Sequence, residues 1–416
     1  MLFWMDYEYL ILMMRSRVFV QEMFRRYYSS ESLSVRAPSA IEQREFGFIM
    51  FGGGMVRHKG FKSVGELRSF LRGFAPSDVY YSCAYYESPE AEMDEKGWLG
   101  ADLIFDIDAD HIPTPCRKVH DHWVCLSCGF SGYGLTPERC PGCGSEKFEE
   151  KTWPCEVCLE SAKNEAIKLV DMLTEDFGFS LKEVDVFFSG HRGYHVQVES
   201  EAVKSLDAVA RKEIVDYIIG LGLDADFHGL SGLSRSLNLE DAGWRGRIAR
   251  GIYDFLLKAS VDDMKRLGLR KKTIEAIVGQ RDNVLKNWGK RSPLTMIKGV
   301  GWKSWKKIAE YGAKLQASKI DTVVTTDIHR LIRLNGSLHG KTGFKKVEVP
   351  RNNIEGFDPL KEAVAFREGT VTVFVSEAPQ LRVGEEIYGP FKKCKVELPT
   401  AVAMLLLCKG AAEVAE

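Results

Sequence analysis

Seven of the ten cysteines fall between Cys116 and Cys158, six of them as Cys-x-x-Cys pairs. No other feature limits the fold of this chain as tightly. In a long chain with no secretory signal, such spacing means thiolates on metal rather than disulfide bridges, and a reducing compartment such as the cytoplasm. "CLSCGF" and "CPGCGS" each carry glycine after the second cysteine. They read as a zinc ribbon, with Cys125, Cys128, Cys140 and Cys143 as four thiolates at tetrahedral spacing. The third pair, Cys155 and Cys158, leads into "CLESAKNEAIKLVDMLTEDFG", a helical pattern stopped by Gly178. Cys83, Cys394 and Cys408 read as core or free thiols.

With 416 residues the chain is too long for one compact core and suggests two or three domains. The formal net charge of −1 hides an asymmetry: from Arg245 to Lys319 there are 19 Lys/Arg against 6 Asp/Glu. A basic module on an otherwise acidic chain suggests a polyanion partner, with a solvated basic face as the plain alternative. The pattern divides into an N-terminal helix (1–30), an α/β core in three parts (31–115, 159–244 and 320–416), a zinc-binding region (116–158) and a basic helical segment (245–319). The N-terminal "MLFWMDYEYLILMMRSR" is apolar. Asp6 and Glu8 interrupt it and Arg15 and Arg17 close it, so no uncharged run reaches the roughly 18 residues a membrane span needs. No membrane association is expected.

Three stretches carry chemistry. "LIFDIDAD" (103–110) ends an apolar strand in carboxylates. Alternation puts Asp106 and Asp108 on one face with Ile107 opposite. Two such acids repel unless a cation sits between them, and hard oxygen ligands favour Mg²⁺ or Mn²⁺. A strand end running into solvent gives the same pattern. "SGHRGYH" (189–195) reads as strand, tight glycine turn, strand, offering Ser189, His191, Arg192 and His195 as donors to an anion. An ordinary glycine hairpin would look alike. "DTVVTTDIHRLIRLNGSLHGKTGF" gathers Asp321, Arg333, His339 and Lys341, or is simply a capped helix with a basic face.

Taken together and in this order, "DLIFDID", "SGHRGYHVQV" and "RLIRLNGSLHGKTG" resemble the catalytic small subunit of archaeal and eukaryotic DNA primases. "REFGF" and "LPTAVAMLLLCKGAAE" resemble the archaeal branch. The similarity covers the chain from about Phe24 onward. It implies the primase–polymerase (archaeo-eukaryotic primase) fold, an α/β catalytic core with a zinc-binding insertion and a basic helical insertion. It implies template-directed synthesis of short primers on single-stranded DNA by two-metal nucleotidyl transfer, with pyrophosphate released. The family's metal-binding aspartates fall on Asp106, Asp108 and Asp321, for two Mg²⁺ or Mn²⁺ ions. Asp327 competes for the third place, but the family sets its acid directly before the "VT" pair. The nucleoside triphosphate contacts fall on Ser189, Arg192, His195, Arg333 and His339. Glu45 and Arg57 match positions near nucleotide or template. Position 191 is His where several relatives carry a basic residue, and Asp110 matches no family role.

The family's zinc site falls on Cys116, His122, Cys155 and Cys158, which makes the ribbon an insertion inside that site's loop and implies two structural zinc ions. A rival partition joins Cys116 and His122 to Cys125 and Cys128, and Cys140 and Cys143 to Cys155 and Cys158. His120 could replace His122 in either. In the basic segment, "IKGVGWKSWKKIAEYG" fits a helix–hairpin–helix or a plain helix pair with buried Trp302 and Trp305. Either is expected to touch the template. The resemblance also implies a heterodimer with a large regulatory subunit. Rival readings are a primase–polymerase of a repair or plasmid system and a non-enzymatic zinc-ribbon protein that binds nucleic acid.

Overall fold

The computed structural model describes residues 7–30, 35–226, 228, 237–288 and 297–415. The chain separates into two compact units. One comprises Met1–Ala166, Lys182–Val209 and Asp321–Glu416, the other Ile167–Leu181 and Ala210–Ile320.

The first unit holds the mixed α/β structure. Strands β1 (Phe46–Ile49) and β2 (Met55–Lys59) form the hairpin expected around Gly52–Gly54, pairing Phe48 with Val56. β3 (Asp78–Ser82) pairs with β1. β4 (Ala84–Tyr86) and β5 (Trp98–Ala101) form a short ribbon. β6 (Leu103–Asp108) is the apolar run that ends in carboxylates: Leu103, Ile104 and Phe105 are buried, as is Ile107 between the two half-exposed acids. The cysteine-rich stretch forms a small sheet of β7 (His122–Cys125), β8 (Ser131–Tyr133) and β9 (Phe148–Lys151), in the order β8-β7-β9.

β10 (Val184–Phe188) and β11 (Gly193–Val198) are the hairpin across "SGHRG". The turn needs Gly190, whose φ is +87°. Gly193 is needed for a different reason. It faces β6, and a Cβ there would collide with the carbonyl oxygen of Ile107. With glycine in place, β6 docks as the edge strand, pairing Asp106 with His195 and Asp108 with Gly193. β12 (Leu331–Arg333) lies against β3, giving a sheet ordered β12-β3-β1-β2, and β13 (Val347–Val349) completes a sheet ordered β13-β10-β11-β6. β14 (Thr370–Ala378), the ribbon β15 (Leu381–Val383) with β16 (Glu386–Tyr388), β17 (Phe391–Pro399) and β18 (Ala412–Val414) follow. The helix Thr400–Cys408 packs on β14 and is almost wholly buried. The N-terminal helix is described from Tyr7 to Ser30. Phe24 and Tyr28 sit fully in the core, and Tyr27 Oη donates to the carbonyl of Gly336 at 2.6 Å. Its first six residues lie outside the described part.

The second unit is helical: Ala208–Ile219, Gly243–Lys258, Val261–Arg266, Lys271–Lys286 and Trp302–Gln316. The helices Gly243–Lys258 and Trp302–Gln316 cross at Gly251 and Gly312, too close for a Cβ on either. Both tryptophans at the start of the last helix were expected inside. Trp305 is 1% exposed, but Trp302 is 37% exposed because it occupies the first helical turn, beside the glycine hairpin and facing outward. No described helix is long and apolar enough to cross a membrane.

Candidate active site

A cleft of about 190 Å³ in the first unit is lined by Asp106 and Asp108 on one side. Ser189, His191, His195, Arg330, Arg333 and His339 line the others, with Tyr80. The acids come from the exposed face of β6, as strand alternation requires. Asp108 Oδ1 accepts the backbone N–H of Asp110 at 2.9 Å, which turns the chain out of the strand. Burial, with the carboxylates of Asp108 and Asp321 nearby, pushes Asp106 up to about 7. Burial also raises Asp108, against the opposing pull of Arg192.

Asp321 arrives 213 residues after Asp108. Its backbone N–H donates to the carbonyl of Asp106 at 2.8 Å, and its side chain caps the short helix Thr322–Thr326 through Val323 N–H at 2.9 Å. Asp327, the competing acid, caps the other end of that segment by accepting from His329 N–H, and its charge acts on Tyr86. Asp106, Asp108 and Asp321 are therefore neighbours. They do not close as tightly as the cysteines do. Among the described residues, only the two cysteine-containing sets bring every ligand atom within 4.8 Å of the others.

The opposite wall is built from nitrogen donors. Ser189 Oγ accepts from His191 N–H and Gly193 N–H, at 3.3 and 3.2 Å, and so shapes the turn. Arg333 is held by Asp78 at 2.7 Å, by the Leu338 carbonyl and by Tyr80 Oη, its cross-strand partner. The His191 and His339 rings stack with centroids 5.0 Å apart. Burial holds His191, His195 and His339 neutral, helped by the cations around them. His195 Nε2 lies 3.6 Å from Asp106 Oδ1, and its Nδ1 is buried with no partner among the described residues.

Two residues matched to nucleotide contacts lie elsewhere. Arg192 is fully buried and outside the cleft lining. It pairs with Asp121 at 2.6 Å and, closely, with Asp110. Arg192 sits in the turn between β10 and β11, and its side chain is held by Asp110 and Asp121 instead of facing the cleft. Arg57, on β2, grips Glu45 at 3.0 Å and is also outside the lining. Conversely, Arg330 and Tyr80 line the cleft without having been singled out. The register of β12 on β3, which sets Arg333 opposite Tyr80, is the signal that pairs them, and it is not written in either strand alone.

The cysteine-rich stretch forms two sets able to hold metal: Cys125, Cys128, Cys140 and Cys143, and Cys116, His120, Cys155 and Cys158. The ribbon partition is thus the observed one, and the rival partition is not formed. Cys125 Sγ lies 3.6 Å from Cys143 Sγ, and Cys128 Sγ lies 3.6 Å from Cys140 Sγ. The histidine of the second set is His120, with Nε2 3.4 Å from Cys158 Sγ, and not His122. His122 is the first residue of β7, where its ring meets Tyr133 edge-on. His120 ends the turn that Cys116 begins, four residues away on one helical face. Its Nδ1 lies 2.8 Å from Asp121, so a carboxylate backs the imidazole as in metal-bound histidines. Asp121 also takes Arg192. A chain of contacts therefore runs from this set through Asp121, Arg192 and Asp110 to the start of the acidic cleft.

Carboxylates on one wall and buried cations with neutral imidazoles on the other are what a site handling a metal-bound polyanion requires. The DNA primase small subunit family model matches residues 144–352. The DNA primase small subunit PriS of Cenarchaeum symbiosum is 34% identical over 405 residues, covering 95% of this chain and 97% of that protein. PriS of Nitrosopumilus maritimus is 31% identical, covering 95% and 98%, and PriS of Methanococcoides burtonii is 34% identical, covering 96% and 99%. The chain belongs to the DNA primase small subunit family, archaeal in type, and is the catalytic, nucleotidyl-transferring subunit of a DNA primase.

Proposed function

We propose that the cleft is where nucleotides are joined into short primers on a single-stranded DNA template, with pyrophosphate released. The observation that carries this reading is the main-chain hydrogen bond that brings Asp321 beside Asp106, which itself lines the cleft with the nitrogen-rich wall. Asp106, Asp108 and Asp321 would hold two Mg²⁺ or Mn²⁺ ions. The donor set fits, since three hard oxygen ligands lie near enough that the charges of Asp108 and Asp321 help Asp106 retain a proton near neutrality. Bound there, the cations supply the charge that activates an attacking hydroxyl and balances the departing pyrophosphate.

The chain's own groups then have distinct tasks. Arg333, braced by Asp78 and Tyr80, presents a fixed guanidinium to phosphate oxygens. Ser189 holds the turn whose donors face the same space, while His191, His195 and His339 bind as neutral imidazoles. Arg192 acts from behind, bracing Asp110 next to the catalytic acids. Arg57 and Glu45 belong to the template or incoming nucleotide side.

The two cysteine-containing sets would each hold one structural Zn²⁺. Four protein ligands leave no open position for chemistry. In this reading the ribbon and the basic helices are insertions in a primase–polymerase core, and the helices neutralise template phosphates. The active form is a heterodimer with a large regulatory subunit, working in the cytoplasm. The non-enzymatic zinc-ribbon reading is not favoured, since it leaves the acidic cleft unexplained.

The test is metal-dependent primer synthesis on single-stranded DNA by an Asp106→Ala/Asp108→Ala double variant. Synthesis should vanish while zinc content and circular dichroism stay as in wild type. Primer synthesis at wild-type rate would refute the assignment.

A further inference from the structure

The apolar helix Thr400–Cys408 ends on Lys409, whose Nζ lies 2.7 Å from Nε2 of His191. This lysine is in poor company. Burial, together with the cations of Arg192 and Lys341, pushes its ammonium down to about 7. No described carboxylate forms an ion pair with it, although buried cations are costly unless paired. His191 is stacked on His339, and both rings line the cleft. Lys409, His191 and His339 thus form a run from the helix end to the cleft surface, with Lys341 and Arg192 as neighbouring cations and Asp121 as the carboxylate whose charge reaches Lys409.

In its ammonium form Lys409 has only donors, so His191 Nε2 then accepts and the ring proton sits on Nδ1. Among the described residues, Lys409 is the side chain that hydrogen-bonds to that ring, while His339 stacks on its face. Nδ1–H is then the one ring donor left for a ligand. The cations here outnumber the one carboxylate acting on Lys409, and a polyphosphate would balance the rest.

We propose that Lys409 is a positioning residue of the triphosphate subsite. It fixes His191 as the Nδ1–H tautomer and sets a positive charge behind the His191–His339 stack, so that the end of the C-terminal helix helps hold the nucleotide's phosphates. The inference rests on the reading of the cleft as the nucleotide site.

The experiment compares Lys409→Met and Lys409→Arg in the full chain, using ATP with Mg²⁺ as the probe. Lys409→Met should weaken ATP binding and raise the nucleotide KM by about tenfold, with kcat within about twofold, as expected for one charge-assisted contact. Lys409→Arg should recover most of the loss. Nitrogen NMR of labelled histidine should show a single Nδ1–H tautomer for His191 in wild type and in Lys409→Arg, and a mixture in Lys409→Met. If Lys409→Met does not fold, Lys409→Gln takes its place for the affinity measurement, with the same expected loss. Unchanged ATP affinity and tautomer in the neutral variants, while Arg333→Gln loses ATP, would overturn the proposal and leave the cleft reading standing. If Arg333→Gln and His339→Ala also bind ATP like wild type, the cleft reading fails and this proposal fails with it.

Discussion

The backbone N–H of Asp321 donates to the carbonyl oxygen of Asp106 at 2.8 Å, so the register of the third acid is set by main chain and not by its carboxylate. The side chain has its own structural task as N-cap of the helix Thr322–Thr326. Asparagine caps as well as aspartate does. Asp321→Asn should therefore keep the fold, with a Tm close to wild type. Primer synthesis should fall by about a thousandfold or more, because a neutral amide is a poor ligand for a hard cation. Activity within about tenfold of wild type would move the third ligand role to another acid.

Asp106 couples stability to pH and to divalent cation. Its proton is held up to about 7 in the fold, above the usual carboxylate value. The folded state then binds more protons than the unfolded chain, and stability falls as pH rises from about 4 towards 7. Without Mg²⁺ or Mn²⁺, melting temperatures should drop across that window more in wild type than in Asp106→Asn. Added Mg²⁺ should raise Tm more at pH 8 than at pH 5, because at pH 5 a proton must first be displaced. The cation must be removed by dialysis, since a strong chelator would also strip the cysteine sites. A Mg²⁺ response equal at both pH values would show that Asp106 does not titrate with the metal.

Much of this site was legible in the sequence, and the part that was not has a common cause. The face of β6 that carries Asp106 and Asp108 follows from alternation, and the turn at Gly190 and Gly193 follows from glycine placement. The four thiolates of the ribbon follow from spacing. The choice of Asp321 over Asp327 rested on family order and fits the geometry, but helix and strand periodicity could not have made it. Arg192 lies outside the cleft lining, and only the positions of Asp110 and Asp121 reveal its attachment. Trp302, Arg330 and Tyr80 likewise depend on which element packs against them. Residue type and local period are encoded locally. Partners brought from 82 or 253 residues away are not, as Arg192 with Asp110 and Arg333 with Tyr80 illustrate.

The zinc partition can be separated by single histidine changes. If each cysteine set holds one Zn²⁺, purified wild-type protein should contain two zinc per chain by mass spectrometry. His120→Ala should lower this to about one and lower Tm, since a structural zinc site contributes folding energy. His122→Ala should keep both, because that ring belongs to neither set and meets Tyr133 edge-on. The His120 variant should also lose primer synthesis in part, through the contacts that join Asp121 and Arg192 to Asp110. Two retained zinc ions in His120→Ala would return the ligand role to another residue.

Template contact by the helical unit should be read from salt dependence and not from affinity alone. Removing the whole basic segment is a poor test, because it would truncate the helix that starts at Gly243 and strip buried Asp176 of its ion pair with Arg247. Lys298 and Lys303 offer a cleaner change. Both are exposed, and they flank the glycine hairpin at the start of the last helix. Each phosphate neutralised on single-stranded DNA contributes about −0.7 to the slope of log affinity against log salt. Lys298→Ala/Lys303→Ala should therefore flatten the slope by about 1.4 if both lysines sit on phosphates. Primer synthesis at saturating template should stay near wild type, since neither lysine belongs to the cleft. A slope unchanged by the double variant would assign the positive charge of this unit to solubility or to a different partner, and the template would then have to be held by the first unit alone.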